Sequence, residues 1–230
     1  MTMPTTVFAR GRWIVGIAVV LATVSMLLYP GGTTLDPSPR GYSLWQNFLS
    51  DLGMTVAYDH RPNRLGAALF GVSLVLLVLA LGGCLFGLVR LYSASHRARR
   101  FARAAAAVGL LVCAAFVGVA VTPENRVMGL HLSATLLAFR AFPVLSFLFL
   151  LATISSGVFP RRVAVAWAAL TVVLAVYVAV LGWGPSLTTV SGLTFQVAAQ
   201  KIVAVVAVVT FVYVSVEADR VILKAPRASS

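Results

Sequence analysis

The chain has 230 residues, of which 60% are Ala, Val, Ile, Leu, Met, Phe, Trp, Tyr or Cys and only 10% are charged. Soluble domains carry about 25% charged residues, so a soluble fold is excluded, and disorder is excluded because disordered chains are poor in aliphatic side chains. With a mean hydropathy of +0.96 the remaining class is a polytopic membrane protein, in which the formal net charge of +12 has to be read by position rather than by sum.

About 20 mostly apolar residues are needed to cross about 30 Å of hydrocarbon. Six runs meet that requirement, at about residues 13–29, 65–89, 104–121, 132–156, 163–182 and 193–216. None alternates apolar and polar residues as a membrane strand must, so each is expected to be a helix. The expected fold is therefore all-α: one transmembrane domain over residues 1–230, with six spans. Arg10 and Arg12 ahead of the first run also suit a signal peptide, but Tyr29-Pro30-Gly31-Gly32 is no small-x-small cleavage site, and the run is read as an uncleaved first helix. Cys84 and Cys113 both fall inside apolar runs, where a thiol behaves as a small hydrophobe.

Orientation follows from the basic residues. One side of the spans collects Arg10, Arg12, Arg90, Arg97, Arg99, Arg100, Arg103, Arg161, Arg162, Arg220, Lys224 and Arg227; the other has Arg40, Arg61, Arg64 and Arg126, balanced by Asp36, Asp51, Asp59 and Glu124. Retention of Lys- and Arg-rich loops in the cytoplasm puts both termini there. The basic clusters are topology signals that also touch anionic lipid, and no nucleic-acid partner is expected.

The outer loop of residues 30–64 is predicted to hold a short amphipathic helix at about 43–53. Ser43 and Gln46 form a capping-box pattern, Leu44, Trp45, Phe48, Leu49 and Leu52 recur at helical spacing, and Gly53 supplies a stop. Its polar face would carry Ser43, Gln46, Asn47 and Ser50 with Asp51 at the margin, and the segment would lie along the interface or roof the bundle mouth.

Two cations stand where charge is expensive. Arg140 comes nine residues after His131, on the order of 14 Å below the outer surface, and Lys201 is at a comparable depth in the last span. A charge there costs at least about 2.5–3.5 kcal/mol, so each is expected to face the interior and to have a partner. The spans offer no Asp or Glu at that depth. The counter-charge would come from the Phe139 carbonyl freed by Pro143, from Asp51 or Glu124 descending into the mouth, or from an anionic ligand. Gln196 and Gln200 share a face of the last helix and, with Ser133, place the polar side chains in the outer half.

These residues support a non-catalytic reading: a polar, cationic cavity that binds an anionic lipid or small amphiphile through Arg140 and Lys201, oriented by Gln196 and Gln200, in a transport or envelope accessory that needs no cofactor. A different class is a metal-dependent hydrolase built on Asp51, His60 and His131. A serine mechanism on Ser50 and His131 has no GxSxG elbow to support it. A third reading is a structural subunit whose polar residues are packing glue and whose exterior docks to a larger membrane complex. No Walker A motif points to ATP-driven transport.

The run FLSDLG (Phe48 to Gly53), Asn63 and Arg64 opening the second helix, the TPEN turn (Thr122 to Asn125) and His131 together resemble a bacterial family of six-helix membrane proteins catalogued only as a domain of unknown function. The resemblance covers roughly residues 40–155. It implies a bacterial plasma-membrane protein with an important outer loop, and it marks Ser50, Asp51, Gly53, Asn63 and His131 as the positions to test. The ceramidase and adiponectin-receptor-like hydrolases share a Ser, Asp and His cluster, but this chain has Gln196 and Gln200 where they have paired histidines.

Overall fold

The computed structural model describes residues 6–224; Arg227 of the basic set lies outside them. Within that range the chain forms six long helices, α1 (Val7–Leu28), α2 (Arg64–Leu91), α3 (His96–Val121), α4 (Glu124–Ser156), α5 (Arg161–Trp183) and α6 (Val190–Lys224). All six are long and apolar enough to cross a membrane, one for each expected span. Each contains its span except at the C-terminal end of α1, which stops at Leu28, and most run on into polar sequence, because capped turns carry a helix beyond its apolar stretch. Thr6 accepts a hydrogen bond from the Ala9 amide at the start of α1, and Ser95 does the same for Ala98 at the start of α3. At the other end of α4, Gly157 at φ 66° closes the helix in the left-handed region.

Consecutive helices pack side by side and α1 returns to α6, which closes the bundle. Its most extensive interface joins α3 to α4, and the buried stripe Ala98, Ala102, Ala105 and Gly109 on α3 explains why. Small side chains at helical spacing let two backbones approach where apolar burial gives no advantage over lipid. A Cβ built on Gly109 would lie 2.5 Å from a Leu85 methyl of α2 and 3.2 Å from one of Leu145 of α4, so three helices meet at this position. The centre is filled by Phe149 stacked on Trp167 with ring centroids 5.0 Å apart, and by Tyr92, whose hydroxyl is 2.7 Å from that of Thr153. The void between Leu85, Phe149, Trp167 and Phe211 is about 30 Å³ and apolar. The buried acids Asp51 and Glu217 lie towards the two ends.

At the end bearing the chain termini, α6 supplies two acids as fasteners. Glu217, 2% exposed, accepts from Arg162 of α5 at 2.9 Å and Arg220 at 2.6 Å, while Asp219 accepts from Arg12 at 2.7 Å and from Thr6, both on the α1 side. The first helix is thus held as a member of the bundle.

The predicted outer-loop helix is not formed. Residues Leu44–Gln46 make a turn and only Leu49–Gly53 is helical, as a 3-10 turn. Ser43 does cap locally, accepting from the Gln46 amide at 3.2 Å. Asn47 then breaks the segment: its side-chain oxygen accepts from Ser43 N, and its amide donates to the Gly32 carbonyl and to Asp51 Oδ2 at 3.0 and 2.9 Å, a side-chain network that competes with helix propagation. The expected faces hold only in part, with Leu52 fully buried as an apolar-face residue should be. Leu44 and Trp45 are exposed while Asn47 and Asp51 are fully buried.

Ala102→Leu should overpack the α3–α4 contact and cost about 1–3 kcal/mol, whereas Leu110→Ala on the exposed face of α3 should be near neutral. Thermal unfolding of both variants in detergent checks this; an unchanged midpoint for Ala102→Leu would show that the small-residue stripe does not set the helix spacing.

Candidate functional site

The loop between α1 and α2 folds back on itself before it covers the bundle. Gly32, at φ +80°, would place a Cβ 2.6 Å from the Asp59 backbone nitrogen, so two passes of the loop touch where only glycine fits. The amide of Gly32 donates to the Pro39 carbonyl at 2.7 Å, and that of Asp59 to the Gly31 carbonyl at 3.3 Å. Arg61 pairs with Asp59 at 2.6 Å and reaches the Pro30 carbonyl.

Three anchors then fix the folded loop to the helices. On α6, Lys201 Nζ donates to the Asn47 carbonyl at 2.6 Å and lies 5.3 Å from the centre of the Tyr42 ring, while Gln200 Oε1 accepts from the Leu49 amide at 2.7 Å. The Tyr42 hydroxyl donates to the same Asn47 carbonyl at 3.0 Å. At the head of α4, Asn125 accepts from Thr55 N at 3.0 Å, and Asn125 and Arg126 both donate to the Thr55 hydroxyl at 3.1 Å, which gives the TPEN turn a mechanical role. At the head of α2, buried Asn63 donates to the carbonyls of Leu52 and Met54 at 3.1 and 2.9 Å.

These anchors carry Asp51 into the interior. Its Oδ2 accepts from Asn47 Nδ2 and from the Phe48 amide, at 2.9 and 3.0 Å; its Oδ1 is buried with no partner. Burial pushes the carboxyl up to about 8, and the Glu124 charge adds to the rise; the bonds from Asn47 and Phe48 and the charge of Lys201 oppose it. Glu124 stands beside the hydroxyls of Ser50 and Tyr58 and 3.8 Å from His131 Nε2. His131 is 5% exposed. Its Nδ1 is 2.7 Å from the Thr122 carbonyl, a contact that requires a proton on Nδ1, and Nε2 is buried without a hydrogen-bond partner. The Tyr29 hydroxyl, near the Tyr58 backbone and within the field of both Asp51 and Glu124, and Asn63 Oδ1 are further buried polar atoms without a hydrogen-bond partner of good geometry.

The expected site residues therefore divide. Asp51, Ser50, His131 and Lys201 come together under the loop, with Asn63 and Gln200 as its fasteners. Gln196 is buried but turned elsewhere, donating to the Pro185 carbonyl at 2.7 Å. Arg140 is exposed on the outside of α4, which corrects the expectation that it faces the interior; the α4 side chains turned inward near it are Ala138 and Leu145, both buried. Ser133 is likewise exposed and bonds its own helix. The three-residue metal set fails on geometry: His60 is exposed at the loop apex with φ 66°, and among the described residues no three His, Cys, Asp or Glu side chains are grouped to hold a metal ion. Tyr29, Tyr42 and Tyr58 were not expected in the site, and isolated tyrosines in a loop give no periodic signal. Asn47 could have been singled out, since it precedes Asp51 by four residues.

No family model, curated protein or solved structure matches the chain.

A carboxyl whose folded-state value lies above its unfolded one stabilises the fold below the unfolded value, and that contribution is lost as pH rises through the folded one. The docked loop should accordingly hold tightest near pH 4 and loosen towards pH 8. Hydrogen exchange over residues 47–54, corrected for intrinsic rates, should show this opening in the native chain and a shallower slope in Asp51→Asn, where Glu124, also raised by burial, is the remaining carboxyl. The same pH slope in both chains would remove Asp51 as its source.

Proposed function

We propose that this chain is a non-catalytic, multi-pass protein of the bacterial plasma membrane, with both termini in the cytoplasm, that binds the polar end of a membrane amphiphile beneath its outer loop as a transport or envelope accessory. One observation carries this reading: Tyr29 Oη, Asp51 Oδ1 and His131 Nε2, on three separate segments of one electrostatic neighbourhood, are buried and unpartnered. Leaving such an atom unsatisfied costs about 1–3 kcal/mol. Three together favour a site with an occupant over a packing accident.

The chemistry of the cluster narrows the occupant. Two carboxyls call for hydrogen-bond donors, so a bare anion fits poorly beside Asp51 and Glu124. Lys201 commits one of its three N–H donors to Asn47 and keeps the others for a phosphate. A phospholipid headgroup that also carries an amine or hydroxyls satisfies both halves. Access requires the loop to lift, which breaks its hydrogen-bonded anchors and the packing of Leu52 and Ala57 against Tyr29 and Phe70.

Mass spectrometry of lipids retained after mild detergent extraction tests the reading. The native chain should retain one phospholipid class above its abundance in the membrane, and Asp51→Ala combined with His131→Ala should reduce that enrichment at least about tenfold, the equivalent of 1.4 kcal/mol. A native lipid profile matching the bulk membrane, or an enrichment that survives the double substitution, would overturn it.

A further inference from the structure

Arg140 lies midway between Glu124 and Ser156 on α4, about 24 Å along the helix from either end at about 1.5 Å per residue. The hydrocarbon half-thickness is about 15 Å, so the guanidinium starts near the bilayer centre. It is exposed on the outside of the bundle. Among the described residues nothing pairs with it; the carbonyl of Phe139, freed by Pro143, takes no hydrogen bond from it. The same face presents Leu137, Val144, Phe147 and Ile154, at 44%, 48%, 47% and 63% exposure. Leu137, Arg140, Val144 and Phe147 recur at steps of three, four and three over the helix centre, and Ile154 follows one heptad on, the spacing of a helix–helix seam. A lipid-facing stripe has nearly that spacing too, so the seam alone decides nothing. The cation decides, because an unpaired arginine presented to acyl chains is strongly disfavoured.

We propose that the α4 face centred on Arg140 docks a transmembrane helix of a different protein, one that carries an Asp or Glu at mid-membrane depth. Charge selects the occupant. A second copy of this chain cannot supply the carboxylate, because its six acidic residues are Asp36, Asp51, Asp59, Glu124, Glu217 and Asp219: the first three are in the outer loop, Glu124 opens α4, and the last two are tied to arginines near the end of α6. A phospholipid phosphate lies a half-bilayer away, beyond the reach of a single arginine side chain. An acid on a neighbouring helix meets the guanidinium at its own depth, and in low dielectric such a pair is bidentate and specific.

The experiment places a photo-activated crosslinking residue at Val144 or Phe147 of the full chain in its native membrane. The expected product is one protein adduct whose crosslinked peptide is an apolar segment of about 20 residues with Asp or Glu near its middle. Arg140→Lys should retain the adduct, while Arg140→Leu and Arg140→Gln should each reduce it at least about tenfold. Because Arg140 makes no hydrogen bond or ion pair among the described residues, all three variants should keep the native unfolding midpoint in detergent, and Arg140→Gln preserves polarity in case Leu alters insertion. Adducts with lipid alone, adducts with a second copy, a crosslinked segment lacking an acid, or an adduct undiminished in both neutral variants would each overturn the proposal.

Discussion

A positive charge inside an oily helix must be met where it stands, and the hydrogen bond from Lys201 to the Asn47 carbonyl is the consequence on which the outer half of this molecule depends. The helix has no acid to offer at that level, so the loop comes down instead. It brings a carbonyl, an aromatic face and, close behind, a carboxyl. Once Asn47 is held by Lys201, its side chain is free to organise Gly32, Ser43 and Asp51 around it. Loop shape, Asp51 burial and the closeness of Glu124 all follow from that anchor.

The two ends of the bundle handle charge in different ways. Near the termini the acids of α6 meet arginines that stay partly exposed: Asp219 uses both oxygens and Glu217 takes two arginines on Oε1. Such pairs fix helix order. At the loop end carboxyls are drawn in without matched cations, and several polar atoms are left without partners. Stability alone does not favour that arrangement, since replacing unsatisfied polar groups by apolar ones is commonly neutral or better. An asymmetry of this kind separates the end that holds the fold together from the end available for chemistry.

Arg140 and Lys201 look equivalent in sequence, yet their surroundings are opposite. Lys201 is turned towards the loop and is satisfied within the chain. Arg140 is turned away from it and is not. The difference arises from helix rotation: α4 buries Ala138, Leu145 and Phe149 against α3 and α5, and an arginine between those positions is carried to the outside. A buried cation completed by its own loop supports a lid, whereas an exposed cation at the middle of a span supports a partner.

The number, order and identity of the helices were legible in the sequence, because spans are set by the length of apolar runs and by the need to satisfy every backbone hydrogen bond inside the membrane. So was the concentration of polar residues towards one end, and with it Asp51, Asn63 and His131. The outer-loop segment misled because Leu44, Trp45 and Leu52 share helical spacing while Asn47, at the turn, had a stronger set of side-chain bonds available from Gly32 and Asp51, residues that only folding brings near. Tyr29, Tyr42 and Tyr58 join the site for the same reason. Sequence periodicity reports which residues share a face, but the direction of that face is fixed by the neighbouring helices; tertiary packing alone decided that Lys201 points in and Arg140 points out.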